Sequence, residues 1–327
     1  MNKKLLGYAA LFVAIGLLPV LGVYPVFVMK VLCYALFACA FNLLIGFTGL
    51  LSFGHAAFLG TAAYVTGHAL KVWGLPTPVG LLVGMGGAAA MGLLFGLLAI
   101  RRSGIYFSMI TLALAQMLYF FFLQAPFTGG EDGLQSVPRG HFLGLDLSHD
   151  TTLFYVVLGI FITAFWLIYR IVHSPFGQVL TSIRENEARA TSLGYDTAQF
   201  KLLAFVLSAG LAGLAGATKT LVLGFATLTD AIWTTSGLVI LMTLVGGMGT
   251  LVGPMVGALV IIALENKIGD LGNFLADLTG VAWFGGLGES VSLVTGLIFI
   301  VCVLAFRRGL VGETVALWER WSSRRAA

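Results

Sequence analysis

Long apolar runs separated by short polar connections make up most of this chain. A helix needs about 20 consecutive apolar residues to cross a bilayer, whereas the strands of a membrane barrel alternate apolar and polar positions. The uninterrupted runs therefore predict an all-α polytopic membrane protein with about ten transmembrane helices. The predicted spans, of which the eighth and ninth are short, are Leu5–Val23, Val26–Phe47, Ala56–Val72, Val79–Ile100, Gly104–Leu123, Leu153–Ile171, Leu202–Phe225, Ile232–Val245, Leu251–Leu264 and Leu287–Phe306.

The composition agrees with this pattern. Hydrophobic residues make up 59% of the chain and charged residues 10%, with a mean hydropathy of +0.99, outside the range of soluble domains. Asn2–Lys4 and the following apolar run are typical of a signal peptide, but no cleavage motif follows promptly, so we interpret them as an uncleaved first helix. The cysteines Cys33, Cys39 and Cys302 lie within apolar runs without metal-ligand spacing, which indicates packing and predicts no metal or other cofactor.

The positive charges predict the orientation in the membrane. With the N-terminus in the cytoplasm, the basic residues on the outer side are only Lys30, Lys71, Arg139, Lys219 and Lys267. This distribution follows the positive-inside rule, so we predict that both termini are cytoplasmic. The net charge of +4 then requires no nucleic acid partner, and the basic tail fits contact with anionic membrane lipid.

We expect one transmembrane domain over residues 1–327. Its predicted parts are a first half (5–172), a cytoplasmic coupling loop (173–201), a second half (202–306) and a basic cytoplasmic tail (307–327). Two glycine-rich segments, Gly46–Gly54 and Gly246–Pro254, share a G-x-x-G step and a further glycine, and each lies where two spans meet without a hydrophilic loop. We count them five spans apart, and an odd separation predicts an inverted repeat of two five-helix halves.

Apolar segments that glycine interrupts at matching positions point to a transport pathway. Close packing of helices explains such glycines equally well. A histidine inside an apolar run is likewise either a pathway residue or a polar contact between helices. The candidate pathway residues are Gly46, Gly49, Ser52, Gly54, His55, Gly246, Gly249 and Gly253.

A charged segment, Ser174–Asp196, interrupts the apolar pattern. Ser182 and Glu185 match the S-x-x-E capping box, Glu185 and Arg189 have the i,i+4 spacing of an ion pair, and Gly194 suits a left-handed C-cap. These signals predict a helix of roughly 11 residues that starts at Ser182 and ends before Gly194. Isolated helices this short are marginal in water, so a partner would help to hold it, although a solvated connecting helix is the alternative.

Four segments carry a resemblance to a known family. Ile183–Asp196 with Lys201–Ala217 resembles the cytoplasmic loop and following helix of branched-chain amino-acid ABC transporter permeases, and Gly49–Gly60 resembles a helix-breaking motif of that family. Thr128–Pro138 is similar to its periplasmic loop and Gly246–Ala258 to its second glycine motif. Each segment alone is weakly specific, but all four occur in family order. The chain most resembles the longer of the two permeases that pair in such transporters.

The resemblance implies a permease subunit of an ABC importer in the bacterial inner membrane, which passes leucine, isoleucine, valine or similar small polar solutes by alternating access. The implied partners are a second permease subunit, two cytoplasmic ATPase subunits, and a periplasmic substrate-binding protein that the acidic loop Gln124–Thr152 receives. Ser182–Leu193 is then a coupling helix that docks on an ATPase. The expected coupling residues are Ser182, Ile183, Arg184, Glu185, Glu187, Arg189, Leu193 and Gly194.

No residue pattern predicts enzyme chemistry or a catalytic residue. Gly213–Thr220 is close to a P-loop but lacks the glycine before Lys219 and has no preceding strand, so we expect other subunits to hydrolyse ATP. The rival interpretation is a stand-alone ion-coupled secondary transporter, which requires an embedded acid or paired charges at mid-depth of the membrane. None is evident in the sequence, since we expect Lys219 to extend to the interface and Glu265 to end a span near the outer surface.

Overall fold

The structure is a computed structural model that describes residues 3–279, 296–297, 300 and 309–313. Most of these residues lie in helices. Each of the first nine predicted spans corresponds to a helix, and two further helices lie in the predicted coupling loop. The tenth predicted span and the basic tail lie almost entirely outside the described residues. In chain order the helices are α1 Lys3–Leu17, α2 Pro25–Thr48, α3 His55–Lys71, α4 Thr77–Ala99, α5 Ile105–Gln124, α6 Asp150–Val172, α7 Pro175–Glu185, α8 Glu187–Ser192, α9 Thr197–Leu223, α10 Trp233–Gly246 and α11 Gly253–Thr279.

Five of the described helices, α2, α4, α5, α6 and α9, are long and apolar enough to cross a membrane. The stretch Gly7–Leu17 of α1 and the whole of α10 are shorter apolar helices. These lengths support a polytopic membrane protein. The number of spans and the cytoplasmic position of the termini stay predictions.

Local sequence signals explain where the long helices begin and end. Pro25 occupies the first turn of α2, where its missing N–H costs nothing. Gly49 ends α2 and Gly224 ends α9, both in the left-handed conformation (φ +78° and +75°) that glycine adopts without strain. Asp196 starts α9, because its side chain accepts a hydrogen bond from the Gln199 N–H at 3.2 Å.

The described residues divide into two compact units, 1–237 and 238–327. In the first unit, α9 packs against α2, α3 and α4, and small residues allow close approach. A Cβ added to Gly92 of α4 would lie 2.4 Å from the Cβ of Ala209, and one on Gly213 of α9 would lie 2.3 Å from that of Ala88. The packing role that the sequence offered as an alternative for glycine therefore applies at this contact.

The helix order removes the argument for an inverted repeat. The two glycine segments are the connections α2–α3 and α10–α11, and the helices between them are α3, α4, α5, α6, α9 and α10, besides the short α7 and α8. The count of five spans is therefore wrong. If each of the six long helices crosses the membrane once, the separation is even and both connections lie on the same side. The inverted repeat stays a prediction without this support.

The loop between α5 and α6 lies against the C-terminal end of α9. The backbone of Leu134 pairs with that of Ala226, with N···O distances of 2.8 and 2.9 Å. Arg139 forms an ion pair with Asp150 (2.7 Å) and donates to the Val222 carbonyl oxygen (3.3 Å). Because α7 and α8 precede the other end of α9, the two loops lie at opposite ends of this helix, which agrees with their predicted positions on opposite sides of the membrane.

The same loop carries the exposed acids of the predicted periplasmic face. Glu131 and Asp132 lie in an exposed 3₁₀ turn. A small antiparallel hairpin follows, formed by β1 His141–Phe142 and β2 Leu145–Asp146. The Ser148 hydroxyl and backbone N–H donate to the Asp146 carboxylate at 2.7 and 3.0 Å and hold its pKa below the usual value.

Candidate functional site

The predicted coupling segment folds into two short helices, α7 and α8, rather than one. Ser174 caps α7, because its Oγ accepts a hydrogen bond from the Gly177 N–H at 3.3 Å. A side chain does not fit at Gly177, where an added Cβ would lie 2.3 Å from the Val172 carbonyl oxygen. Leu180 and Ile183 are buried on the face of α7 that packs against α2, α6 and α9. The helix is therefore anchored to the apolar bundle along one side.

The predicted capping box is wrong. Ser182 lies inside α7, where its hydroxyl donates to the Gln178 carbonyl at 3.0 Å, and Glu185 is the last residue of that helix. Asn186 interrupts the helix with extended backbone (φ −159°, ψ 97°) and caps α8, since its Oδ1 accepts from the Arg189 N–H at 3.0 Å. An asparagine caps a helix as well as a serine does. The break also separates Glu185 from Arg189, so the expected i,i+4 pair does not share a helix.

Arg184 connects α7 to the first glycine segment. Its Nη1 donates to the carbonyl oxygen of Gly46 in the last turn of α2, where carbonyls have no partner within the helix. The positive charge also lies at the negative end of the α2 dipole. Its side chain passes over Gly49, where an added Cβ would lie 2.9 Å from the Arg184 Cγ. Sequence reasoning placed Arg184 and these glycines in two separate sites, and the structure brings them together.

Glu187 connects α8 to the first turns of α9. Its Oε1 accepts from the Lys201 ammonium at 2.5 Å and from the Thr197 hydroxyl at 3.2 Å. The Lys201 side chain is 8% exposed and that of Glu187 is 44% exposed, so this carboxylate is the counter-charge of a nearly buried ammonium. Glu187 therefore ties α8 to the first turns of α9.

Gly194 ends α8 in the way that the sequence predicts. Its φ is +90°, and its N–H donates to the Thr191 carbonyl at 2.9 Å, while the Tyr195 N–H donates to the Ala190 carbonyl at 3.3 Å. These two bonds form a Schellman motif. Beside it, Leu193 is 70% exposed and Tyr195 is 41% exposed. The segment thus presents apolar side chains on a defined turn.

The first glycine segment is a non-helical connection over residues 49–54, in which Leu50, Ser52 and Gly54 are buried and Gly49 is exposed. Ser52 is fully buried and its Oγ accepts from the Gly54 N–H at 3.3 Å. An added Cβ on Gly54 would lie 2.5 Å from the backbone oxygen of Thr111 in α5. Non-helical backbone at membrane depth is tolerated only where it is buried in protein or lines a cavity. Protein buries Leu50, Ser52 and Gly54 of this connection, and the place of the segment on a pathway stays a prediction.

The second glycine segment has the same length, residues 247–252, and is also tightly packed. Gly249 is left-handed (φ +74°). An added Cβ on Gly246 would lie 1.8 Å from the Gly253 oxygen, and one on Gly253 would lie 2.5 Å from the Gly247 oxygen. Glycine is therefore required at both ends of this connection. Its part in a pathway likewise stays a prediction.

His55 connects α3 to α9 and α2 inside the first unit. Ser208 Oγ donates its single hydrogen to the Ala40 carbonyl at 2.5 Å, so the His55 Nε2–H must donate to Ser208 Oγ at 2.8 Å. The fully buried ring lies among four aromatic side chains, Phe37, Phe41, Phe58 and Phe205. The geometry accounts for His55 as a polar contact between helices, and its predicted position on the pathway remains untested.

Lys219 and Asp230 form a buried ion pair that sequence reasoning missed. Their side chains are 7% and 3% exposed, and the expectation that Lys219 extends to the interface is wrong. The expectation that no paired charges lie at mid-depth of the membrane stays a prediction. The pair forms because the backbone turns back after Gly224, so that Asp230, just before the predicted span Ile232–Val245, meets α9. The sequence signal for this pair was weak: a lysine, Lys219, and an acid, Asp230, lie on either side of the glycine turn at Gly224.

Comparisons with known proteins place the chain in a family. The sequence model of the branched-chain amino acid transport system permease component matches residues 26–305. The high-affinity branched-chain amino acid transport system permease protein LivM of Salmonella typhimurium is 25% identical over 270 residues, which cover 74% of this chain and 62% of that protein. LivM of Escherichia coli is 26% identical over the same shares. The ribose import permease protein RbsC of Bacillus subtilis is 30% identical over 190 residues, which cover 55% of this chain and 51% of that protein.

The chain spans about 62% of the length of the two LivM relatives. Among solved structures, PsaBC from Streptococcus pneumoniae in complex with Fab aligns over 90% of this chain and 95% of that chain, with a TM-score of 0.38 and 16% identity, too weak a likeness to define the fold. The family match, by contrast, runs from the start of α2 to beyond α11. The chain therefore belongs to the family of branched-chain amino acid transport system permease components.

Proposed function

We propose that this chain is a transmembrane permease subunit of an ABC importer in a bacterial inner membrane. It passes branched-chain amino acids or similar small solutes by alternating access, and separate ATPase subunits drive it. Family membership supports this role. The observation that carries it is the pair of contacts that tie the exposed α7–α8 segment to the bundle, Arg184 to Gly46 of α2 and Glu187 to Lys201 of α9.

The mechanism follows from these two contacts. An ATPase that docks on α8 holds the exposed side chains of Leu193 and Tyr195. When ATP draws the two ATPases together, α8 moves with them and pulls the first turns of α9 through the Glu187–Lys201 pair. Arg184 passes the same displacement to the α2–α3 connection. The expected result is a rigid-body shift that opens one side of the membrane and closes the other.

The remaining partners of the proposal are a second permease subunit and a periplasmic substrate-binding protein. The binding protein docks on the loop between α5 and α6, where Glu131 and Asp132 are exposed and acidic. Opposite charges on its docking face would guide association. The loop rests on the C-terminal end of α9, so α9 extends from the proposed ATPase contact to the proposed binding-protein contact.

Cross-linking tests the docking surface directly. Leu193→Cys is expected to cross-link to a co-expressed ATPase subunit in membrane vesicles, because its side chain is exposed beside the Schellman turn. Leu143→Cys is the matched control, since Leu143 is 82% exposed but lies in the hairpin beyond the other end of α9. Equal cross-linking of both variants, or of neither, would count against α8 as the ATPase contact.

The buried Lys219–Asp230 pair favours a second candidate, an ion-coupled secondary transporter. The two functions differ in their source of energy. Vesicles that contain the full complex are expected to take up leucine when ATP is supplied and an uncoupler abolishes ion gradients. Uptake that stops with the uncoupler and persists without ATP would identify the secondary transporter instead.

A further inference from the structure

The Lys219–Asp230 pair requires an explanation other than stability. Removing two charges from water costs several kcal/mol per ion, and well-packed apolar residues of similar size are often as stable or more stable than a buried pair. Ionisable side chains within membrane segments usually mark a functional site. The pair also makes further contacts, since the Lys219 Nζ lies 5.9 Å from the centre of the Tyr34 ring.

The pair lies beside the middle of α3. Asp230 ends a short 3₁₀ turn, Leu228–Asp230, in which its carboxylate accepts from the Thr227 N–H at 3.4 Å. The next residue, Ala231, contacts α3 at Gly60, where an added Cβ would lie 2.6 Å from the Ala231 Cβ. The non-helical backbone between α9 and α10 therefore packs against α3. Non-helical backbone at membrane depth is tolerated only where it is buried in protein or lines a cavity.

A third buried polar group, the Tyr64 hydroxyl, lies on the face of α3 that the turn after α9 contacts. Tyr64 follows Gly60 by one helical turn, on the same face of α3. Its side chain is 1% exposed, and within the described part of the chain its hydroxyl has no hydrogen-bond partner. Gly60 on this face contacts Ala231, the residue after Asp230. A buried hydroxyl without a partner is costly and uncommon in a native structure, so it indicates a group that another state supplies.

We propose that Lys219, Asp230 and Tyr64 form a binding site for the charged end of a zwitterionic amino acid. In the structure the two charged side chains bind each other. In the substrate-bound state, Lys219 binds the α-carboxylate, Asp230 binds the α-ammonium, and the Tyr64 hydroxyl donates to the carboxylate. The substrate class rests on the proposed function, whereas the site rests on these three side chains.

Charge balance selects this ligand class. Lysine and aspartate together carry no net charge, and a zwitterion adds none, so the buried cluster stays neutral when the ligand exchanges one ion pair for two. A carboxylate without an ammonium would leave Asp230 buried without a counter-charge, and an amine without a carboxylate would do the same to Lys219. A neutral sugar offers no charge to either side chain.

A thermal-shift experiment on the purified full-length protein, with the subunits that co-purify, tests the ligand class. Leucine is expected to raise the unfolding midpoint in a saturable way, because a ligand that binds only the native state stabilises it. The matched probes 4-methylpentanoate, which lacks the ammonium, and 3-methylbutylamine, which lacks the carboxylate, are expected to give no shift. An equal shift with either probe would overturn the proposal, as would no shift with any neutral amino acid.

The double variant Lys219→Met/Asp230→Leu separates binding from folding. It is expected to keep the unfolding midpoint of the ligand-free protein or to raise it, and to lose the leucine shift. The matched control is Arg139→Met/Asp150→Leu, which removes a half-exposed ion pair and should retain the shift. A leucine shift of normal size in the Lys219/Asp230 double variant would show that the pair is only structural.

Tyr64→Phe removes a single oxygen atom that makes no hydrogen bond to the described residues. A structural role predicts no change or a slight gain in stability, since a buried unpaired hydroxyl is lost. The proposed role predicts that the leucine concentration for half of the shift rises at least about tenfold, as for the loss of a hydrogen bond to a charged group. Tyr155→Phe, at a half-exposed position on α6, is the control. An unchanged leucine concentration in Tyr64→Phe would refute the role of the hydroxyl.

These outcomes are separable from those of the proposed function, because the thermal shift needs neither ATP nor a membrane. A leucine shift that depends on Lys219 and Asp230, in a protein that transports only with an ion gradient, would preserve the site and reject the ABC importer. ATP-driven uptake of leucine by the Lys219/Asp230 double variant would support the ABC importer and reject the binding site.

Discussion

Replacing Gly194 is expected to weaken coupling while the chain stays folded. Its φ is +90°, and an added Cβ would meet nothing within 4 Å, so the effect of an alanine comes from the backbone alone. A left-handed L-residue costs about 1–2 kcal/mol. Alanine also reduces the conformational entropy of the unfolded chain, which stabilises the folded state by about 0.4–1 kcal/mol. A net cost of about 1 kcal/mol lowers the equilibrium ratio of correctly capped to uncapped α8 roughly fivefold.

Other substitutions at Gly194 should weaken coupling to different degrees. Gly194→Asn should be milder than Gly194→Ala, because asparagine adopts the left-handed conformation more readily. Gly194→Pro should be the most severe, because proline cannot adopt a positive φ and lacks the N–H that donates to the Thr191 carbonyl. ATP-driven leucine uptake in vesicles is expected to fall in the order glycine, asparagine, alanine, proline.

Gly144 provides a matched control for backbone strain. Its φ is +86° and an added Cβ there also meets nothing within 4 Å, but it lies in the hairpin between β1 and β2. Gly144→Ala and Gly194→Ala should lower the unfolding midpoint by a similar small amount, and only Gly194→Ala should lower uptake. Full uptake by Gly194→Ala and Gly194→Pro would refute the argument that the Schellman turn orients the coupling segment.

Two further predictions concern contacts within the first unit. Arg184→Met should lower the unfolding free energy by about 0.5–1.5 kcal/mol, because the carbonyl of the buried Gly46 loses a part-buried hydrogen bond. Arg189→Met, at an exposed position on α8, should leave the unfolding free energy unchanged. Equal losses in denaturant titrations would contradict this assignment. Ser208→Ala should lower the free energy of unfolding by about 1–3 kcal/mol, because the buried His55 Nε2–H loses its acceptor. An unchanged free energy in the same titration would mean that a water replaces the hydroxyl.

The periodicity and length of the apolar runs were sufficient to predict the helices. Nine predicted spans coincide with helices within a few residues at most ends. The exceptions include α1, which ends at Leu17 rather than Val23, and α11, which extends beyond Leu264 to Thr279. The glycine signal at the end of the charged segment was also reliable, since Gly194 is left-handed as predicted. These features depend on short stretches of backbone, which is why the sequence alone reveals them.

The capping box predicted at Ser182 is wrong because the charged segment contains more than one residue that can cap a helix. Several residues in the charged segment are able to cap a helix, and Ser174 and Asn186 do so instead. Which one caps depends on where α7 can bury Leu180 and Ile183 against the bundle. Local patterns therefore offered the alternatives, and packing selected among them.

The sequence by itself determined the membrane class of the protein, its helices, the charged segment between α6 and α9, and the family to which it belongs. Only the tertiary structure decided which polar groups meet: Arg184 with Gly46, Glu187 with Lys201, and Lys219 with Asp230. The physical reason is range. Hydrophobic periodicity and helix capping act over a few residues, whereas the partner of a buried charge depends on how separate helices pack and where the chain turns back into the bundle.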